Sequence, residues 1–230
     1  MTPYPVKAIA HIQSDFNTKF GIPRQSGLVE ALRAAVVFEA EYRNPEALRG
    51  LEGFSHIWLI WQFSQAIREA WSPTVRPPRL GGNERVGVFA SRSPFRPNAL
   101  GLSAVQLLGI EHRPGLGEVL VVAGADLLDG TPIFDIKPYL PYTDCLPQAT
   151  GGFAKSGPDD CLRVEFPDHC LALVPPDKRE ALTGVLAQDP RPRYQDDPDR
   201  VYGMSFAGLE VRFTVTGTVL TVCQVTPSQP

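Results

Sequence analysis

The chain has few cysteines, and they do not cluster: Cys145, Cys161, Cys170 and Cys223 stand far apart and form no C-x-x-C pair. Such spacing speaks against a zinc site and against the disulfide framework of a small secreted domain; it fits reduced thiols in a cytoplasm. No apolar run approaches the roughly 18 residues that a membrane span needs. The N-terminus, MTPYPVKAIA, carries no basic cluster ahead of an apolar core, so a soluble, unprocessed, cytoplasmic protein is expected. Nucleotide fingerprints are missing as well. Gly115 and Gly117 lead into Glu118 and a strand-like run rather than a helix, so no G-x-G-x-x-G stands where a Rossmann site requires it. There is no P-loop, no G-x-S-x-G and no H-E-x-x-H. His11, His56, His112 and His169 are scattered, which leaves metal catalysis without support. His56, inside an apolar run, reads as a hydrogen-bonded core histidine rather than a ligand.

Proline and glycine are plentiful. The 23 prolines and 20 glycines interrupt short apolar runs at frequent intervals, a texture of many short strands and turns rather than long helices. With 43% hydrophobic and 20% charged residues in a chain of 230, the expected class is a mainly β globular protein. The length suits one ordinary domain with a smaller second one.

Val6 to Ile12 and Ala34 to Ala40 read as strands, separated by a loop holding Pro23, Arg24 and Gln25. In NPEALRG, Asn44 is a helix cap, Pro45 the first helical residue and Gly50 a stop, giving one short turn. Phe54 to Phe63 reads as a strand buried on both faces. Val86 to Ala90 is a short strand between two loops, and LSAVQLLGIE and EVLVVAGADLL are strands joined by a turn at HRPGLG. Asp126 to Tyr142 then places acids, a lysine and tyrosines just beyond a strand end. Consecutive strands without regular helices between them predict an antiparallel or mixed sheet closed into a barrel over residues 1–145. Residues 146–230 predict a small α+β C-terminal domain. Its helix carries Ala181, Leu182, Val185 and Leu186 at helical spacing with Asp177 as a cap, and its strands break at AG and TG.

Charge is uneven. The chain as a whole carries −3, yet between Trp71 and Leu100 the arginines Arg76, Arg79, Arg85, Arg92 and Arg96 face one acid, Glu84. A solvated loop surface is the blandest explanation. All of these cations are arginine, however, whose planar fork pairs with carboxylates and phosphates and stacks on bases better than lysine does. Four polar loops, PRQSG, RPPRLGG, SRSPFRPNALG and DLLDGTPIFDIKPYLPY, therefore describe a binding surface for an anionic ligand.

The stretches PRQ, RGLEGFSHIW, PTVRPPRLGGNERVGVFASRSPFRPNALGLS, DLLDGTPIFDIKPYLPY and LAQDPRPRY, spread from Pro23 to Tyr194, resemble the tRNA N6-methyltransferase O family, also called the TsaA-like family. The resemblance implies an S-adenosylmethionine-dependent methyltransferase on a β-barrel, working as a homodimer. Its implied substrate is tRNA carrying N6-threonylcarbamoyladenosine just 3′ of the anticodon, methylated on N6. By similarity the cofactor is lined by Pro23, Arg24 and Gln25, by Ser64 and Gln65, by Arg92 and Leu102, and by the turn of Asp126, Leu127, Leu128, Asp129, Gly130 and Thr131. Arg92 would pair with its carboxylate, and Asp126 or Asp129 with ribose hydroxyls or the ammonium. The sequence departs from the family pattern at Ser64, where histidine is often found, and at Ala99 and Leu100, where proline and isoleucine are usual.

Under that resemblance Asp135, Lys137 and Tyr139 are the candidates for proton acceptor and charge stabiliser. Arg76, Arg79, Arg85 and Arg96 are candidates for phosphate and base contacts, and Arg191, Arg193 and Tyr194 extend that surface, complete a neighbouring subunit's site or belong to a plain interdomain loop. Two other classes stay open: a non-catalytic RNA-binding module, and a small-molecule methyltransferase that uses the arginines for an anionic metabolite.

Overall fold

The computed structural model describes residues 4–81, 83–154, 161–191, 197 and 199–228. Its strands are β1 (Ala10–Gln13), β2 (Arg33–Phe38), β3 (His56–Gln62), β4 (Thr74–Val75), β5 (Val86–Gly87), β6 (Leu100–Arg113), β7 (Gly117–Ala123), β8 (Pro132–Pro138), β9 (Arg163–Glu165), β10 (Tyr202–Phe206), β11 (Leu209–Thr216) and β12 (Val219–Pro227). The α-helices are α1 (Pro141–Asp144), α2 (Asp168–Leu171) and α3 (Arg179–Ala187). The mainly β class expected from proline and glycine punctuation is what forms.

Strands β1, β2, β7, β6, β3 and β8 follow one another around a closed ring, with β8 pairing back onto β1 and every pairing antiparallel. Closure leaves no unpaired edge strand among them. Alternation along each strand sends one set of side chains inward. Ile57, Leu59 and Trp61 of β3 meet Ile12, Val36, Val105, Leu120, Val122 and Ile133 in one core. The intervening Trp58, Ile60 and Gln62 face outward and are half-buried, so β3 is not covered on both faces as its aromatic run suggests. His56 sits on the outer face as well. It is exposed and bonded to the Ser55 hydroxyl, not a core histidine.

A second sheet, in the order β10-β11-β12-β9, packs with α2 and α3 around Phe206, Val211, Phe213, Leu182 and Leu186. Phe16, Val29 and Leu32, from the segment between β1 and β2, are buried in this same cluster. Phe16 meets Phe206 edge to face at 5.4 Å, and the Lys178 ammonium donates to the Asp15 carboxylate at 2.7 Å. The connection between the first two strands thus ties the ring to the second sheet.

Several local expectations shift. Val6 to Ile9 precede β1 instead of forming part of it. The strand expected over Val86 to Ala90 is only Val86–Gly87, because Val88 donates to Pro73 O at 2.9 Å and the chain turns into a 3-10 helix. Asp177 does not cap α3; it lies within the preceding 3-10 turn, Pro176–Lys178. Pro132 to Pro138 is itself a strand, so Asp135 and Lys137 stand on the wall of the ring rather than beyond a strand end. Asn44 behaves as expected, its side-chain oxygen accepting from Glu46 N at 3.1 Å ahead of Pro45–Leu48.

Candidate active site

At one end of the ring a cleft of about 1390 Å³ opens between the loop at Ile22 to Gln25, the turn after β3, the arginine-rich loops on either side of β5, the start of β6 and the Asp126 to Thr131 turn. Its volume exceeds the roughly 300–1,000 Å³ of a pocket for one small molecule.

The floor is set by strand register. Trp61 and Gly101 are cross-strand partners, and Leu59 pairs with Ser103, so Trp61, Gly101 and Ser103 share the inner face. Gly101 carries no side chain because the Trp61 indole fills that space: a Cβ there would stand 2.3 Å from the ring. Laid across Gly101, the indole Nε1 donates to Ser103 Oγ at 3.0 Å, and Ser103 Oγ donates to Asp126 Oδ1 at 2.6 Å. Ser103 is only 1% exposed, so a hydroxyl placed here is held by its two partners.

Burial pushes the Asp126 carboxyl up from its ordinary value near 3.8. The Ser103 hydroxyl, its own backbone N–H, the Arg92 guanidinium and the Ser26 N–H oppose that rise and are outweighed. Arg92 is in turn fixed by donating to Gln25 Oε1, and the Gln25 amide donates to Arg24 O. The bond between Arg92 and Gln25 joins the first loop to the arginine loop.

The arginine loop is braced from within. Ser91 Oγ donates to Val88 O at 2.9 Å and accepts from Ser93 N at 3.3 Å, while Arg96 Nη1 donates to Ser91 O at 2.8 Å. Pro94 and Pro97 restrict the backbone on either side of Arg96. Arg68 lies 3.7 Å over the Phe95 ring, and the Lys19 ammonium donates to Gln65 O at 2.7 Å. Phe89 borders the cleft and stacks on Trp71 at 6.2 Å, the two remaining 74% and 53% exposed.

Of the residues singled out in the sequence, Pro23, Arg24, Gln25, Ser64 and Gln65 border this cleft, as do Arg92, Leu102, Asp126, Leu128 and Thr131. Arg76, Arg85 and Arg96 border it too; Arg85 donates to the Thr74 hydroxyl at 3.2 Å. Leu127 instead fills the ring core, and Asp129 accepts from Ser14 N at 2.8 Å beside Gly130, so this part of the turn fastens β1.

Asp135, Lys137 and Tyr139 do not border the cleft. Lys137 pairs with Asp135 at 3.0 Å on the outer wall, and Tyr139 packs on Trp58 at 5.5 Å. Trp58 Nε1 donates to Asp144 Oδ2 at 2.9 Å; with the Leu140 N–H as the larger influence, this holds the Asp144 carboxyl below its usual range. Arg191 is buried against Asp189 and is not among the residues bordering the cleft. Arg193 and Tyr194 lie outside the described residues, as does the side chain of Arg79.

Sequence reasoning passed over Trp61, Ser103, Trp71 and Phe89. The first two were legible in principle, because period-two alternation puts a glycine and a serine on the inner face of β6 opposite an aromatic strand. The exposed aromatic pair left no periodic signal in its turn-rich stretch.

Residues 11–145 match the tRNA-methyltransferase O N-terminal domain, and residues 159–228 match the TrmO C-terminal domain. The chain is 40% identical to the tRNA (adenine(37)-N6)-methyltransferase of Escherichia coli K12, across 99% of its own length and 100% of that protein. It is 36% identical to an S-adenosyl-L-methionine-binding protein of Archaeoglobus fulgidus, over 64% of this chain and 96% of the relative. The crystal structure of TrmO from Pseudomonas aeruginosa superposes with a TM-score of 0.79 at 35% identity, covering 99% of both chains. Matched over both of its halves and along its whole length, the chain belongs to the tRNA-methyltransferase O family.

Proposed function

We propose that this protein transfers a methyl group from S-adenosylmethionine to N6 of the adenine at position 37 of tRNA, the position named for its Escherichia coli relative. The preferred acceptor carries a threonylcarbamoyl group on N6. The reading rests on one observation: a single cleft joins a polar floor of Arg24, Gln25, Arg92 and Asp126 to a rim of Arg76, Arg85, Phe89 and Arg96.

The donor set fits S-adenosylmethionine. Arg92 offers a fork for the amino-acid carboxylate, Asp126 and the polar groups around it suit an ammonium or ribose hydroxyls, and Phe63 and Leu102 offer apolar surface. The bound donor supplies an electrophilic sulfonium methyl. What the chain contributes is position, and holding two reactants in line lowers a barrier by about 7–11 kcal/mol. The braced, proline-flanked loop keeps Arg92 and Arg96 set before any ligand arrives, which reduces the ordering cost of binding. Arginines on the rim pair with phosphates, and exposed aromatics stack on the unpaired bases of a loop.

The six-strand ring is the TsaA-like β-barrel in this reading, with residues 1–145 the methyltransferase domain and 146–230 a small α+β domain. The working unit is a homodimer, and the outward-facing Leu108 of β6, 43% exposed and not among the residues bordering the cleft, offers apolar surface for a second copy. No helix among the described residues is long and apolar enough to cross a membrane, and a tRNA substrate fits a cytoplasmic enzyme.

Methyl-labelled S-adenosylmethionine incubated with tRNA transcripts that have adenosine or guanosine at position 37 tests the position, once the adenosine transcript has been threonylcarbamoylated. Label on the adenosine species alone is expected. Label on both, or calorimetric binding of tRNA with no binding of S-adenosylmethionine, would overturn the proposal in favour of another site or a non-catalytic RNA-binding module.

A further inference from the structure

The described residues lining the cleft include no histidine, cysteine or tyrosine and a single carboxyl, that of Asp126. Lys19 and the arginines are the other ionisable groups there, and their ammonium and guanidinium groups only donate hydrogen bonds. A methyl acceptor nitrogen conjugated with both a purine and a carbamoyl group has a delocalised lone pair, and methylation without proton loss would leave it cationic. Such chemistry favours a proton acceptor within the site.

Resting on the function proposed above, we infer that Asp126 is that acceptor, and that Ser103 and Trp61 are positioning residues which hold its carboxyl through the Trp61 Nε1 to Ser103 Oγ to Asp126 Oδ1 hydrogen-bond series. As N6 gains the methyl carbon, the electron pair of the broken carbon–sulfur bond leaves on the donor's sulfur and the N6 proton passes to Asp126. The product nitrogen is neutral, and the proton is later released to solvent. Ser103 engages Oδ1, and a carboxylate has about four lone-pair sites, so accepting this bond leaves it capacity for the proton. Trp61 cannot serve as an acceptor, since an indole N–H only donates, so the series orients the carboxylate without competing for its proton.

Arg92 is the charged group acting on Asp126, joined by the N–H groups of Ser26 and of Asp126 itself. Burial outweighs them and leaves the carboxyl more basic than an ordinary aspartate, which suits a base working nearer neutrality. Ser103 pulls the other way, so its removal carries the titration further up.

The test uses the full chain. With S-adenosylmethionine saturating, Asp126→Asn should lower single-turnover methyl transfer by about 100-fold or more. In the ligand-free protein, the carbon-13 resonance of the Asp126 carboxyl should titrate above an ordinary aspartate. In Ser103→Ala that titration, and with it the acid limb of the rate profile, should move to higher pH; Ser103→Thr, which retains the hydroxyl, should restore both. Retained turnover in Asp126→Asn with S-adenosylmethionine saturating, or an Asp126 titration unmoved by Ser103→Ala, would each overturn the inference. Absence of methyl transfer by the unmodified protein would instead defeat the function on which it rests.

Discussion

The Trp61 indole lies in the space that a side chain on Gly101 would occupy, 2.3 Å from where its Cβ would stand. The two are cross-strand partners on the inner face, so the glycine is what allows a large aromatic to turn toward Ser103.

Gly101→Ala is therefore expected to displace the ring rather than fill a void. Overpacking of this kind costs about 1–3 kcal/mol, which for a chain of this size lowers the melting temperature by about 2–4 °C per kcal/mol. Thermal unfolding followed by circular dichroism gives the answer. An unchanged melt would show that the indole does not depend on the glycine.

Gly184 tests how α3 docks. Alanine is favoured over glycine in a helix by about 1 kcal/mol, but a Cβ at this position would stand 2.7 Å from Val29 Cγ1, in the cluster that joins the β1 to β2 segment to the second sheet. The clash should win. Gly184→Ala should unfold at lower denaturant concentration, and a more stable variant would mean that this contact is absent.

The arginines should divide by task. Removing Arg92 takes away a charge-assisted hydrogen bond of about 1.5–3 kcal/mol, so Arg92→Ala should raise the calorimetric Kd for S-adenosylmethionine about tenfold or more. It should leave the salt dependence of tRNA binding alone. The double change Arg76→Ala with Arg85→Ala should do the opposite, flattening the slope of log affinity against log salt by about 1.4 if each arginine meets one phosphate of a single strand. Identical defects in the two variants would refute the division.

Trp71 and Phe89 are large, stacked and exposed beside those arginines. Base stacking on an aromatic contributes about 1–3 kcal/mol, so Phe89→Ala should weaken tRNA binding about fivefold or more. Cofactor affinity should not change. A shift in dimer dissociation by ultracentrifugation, with tRNA affinity intact, would assign the pair to contact between copies instead.

Much of this architecture was legible in residue order. Proline and glycine punctuation gave the mainly β class, and the apolar spacing of Ala181, Leu182, Val185 and Leu186 matched the buried face of α3. The arginine clustering found loops that converge on one cleft. What local pattern could not supply was the long-range pairing: β3 alternates because β6 and β8 flank it, so its outer residues are only half-covered. Asp135 and Lys137 read as loop chemistry because Pro132 and Pro138 resemble breaks, yet they bracket a paired strand. The Trp61, Gly101, Ser103 and Asp126 arrangement depends on register across three separate segments, and no single stretch carries it.

Methyl transfer to the modified adenosine of the anticodon loop can be followed with tRNA purified from cells able or unable to make N6-threonylcarbamoyladenosine. Each pool is incubated with labelled S-adenosylmethionine and digested to nucleosides for mass spectrometry. The prediction is a mass gain of one methyl group on threonylcarbamoyladenosine and no label in the pool that lacks it. Equal labelling of both pools, or none in either, would contradict the account.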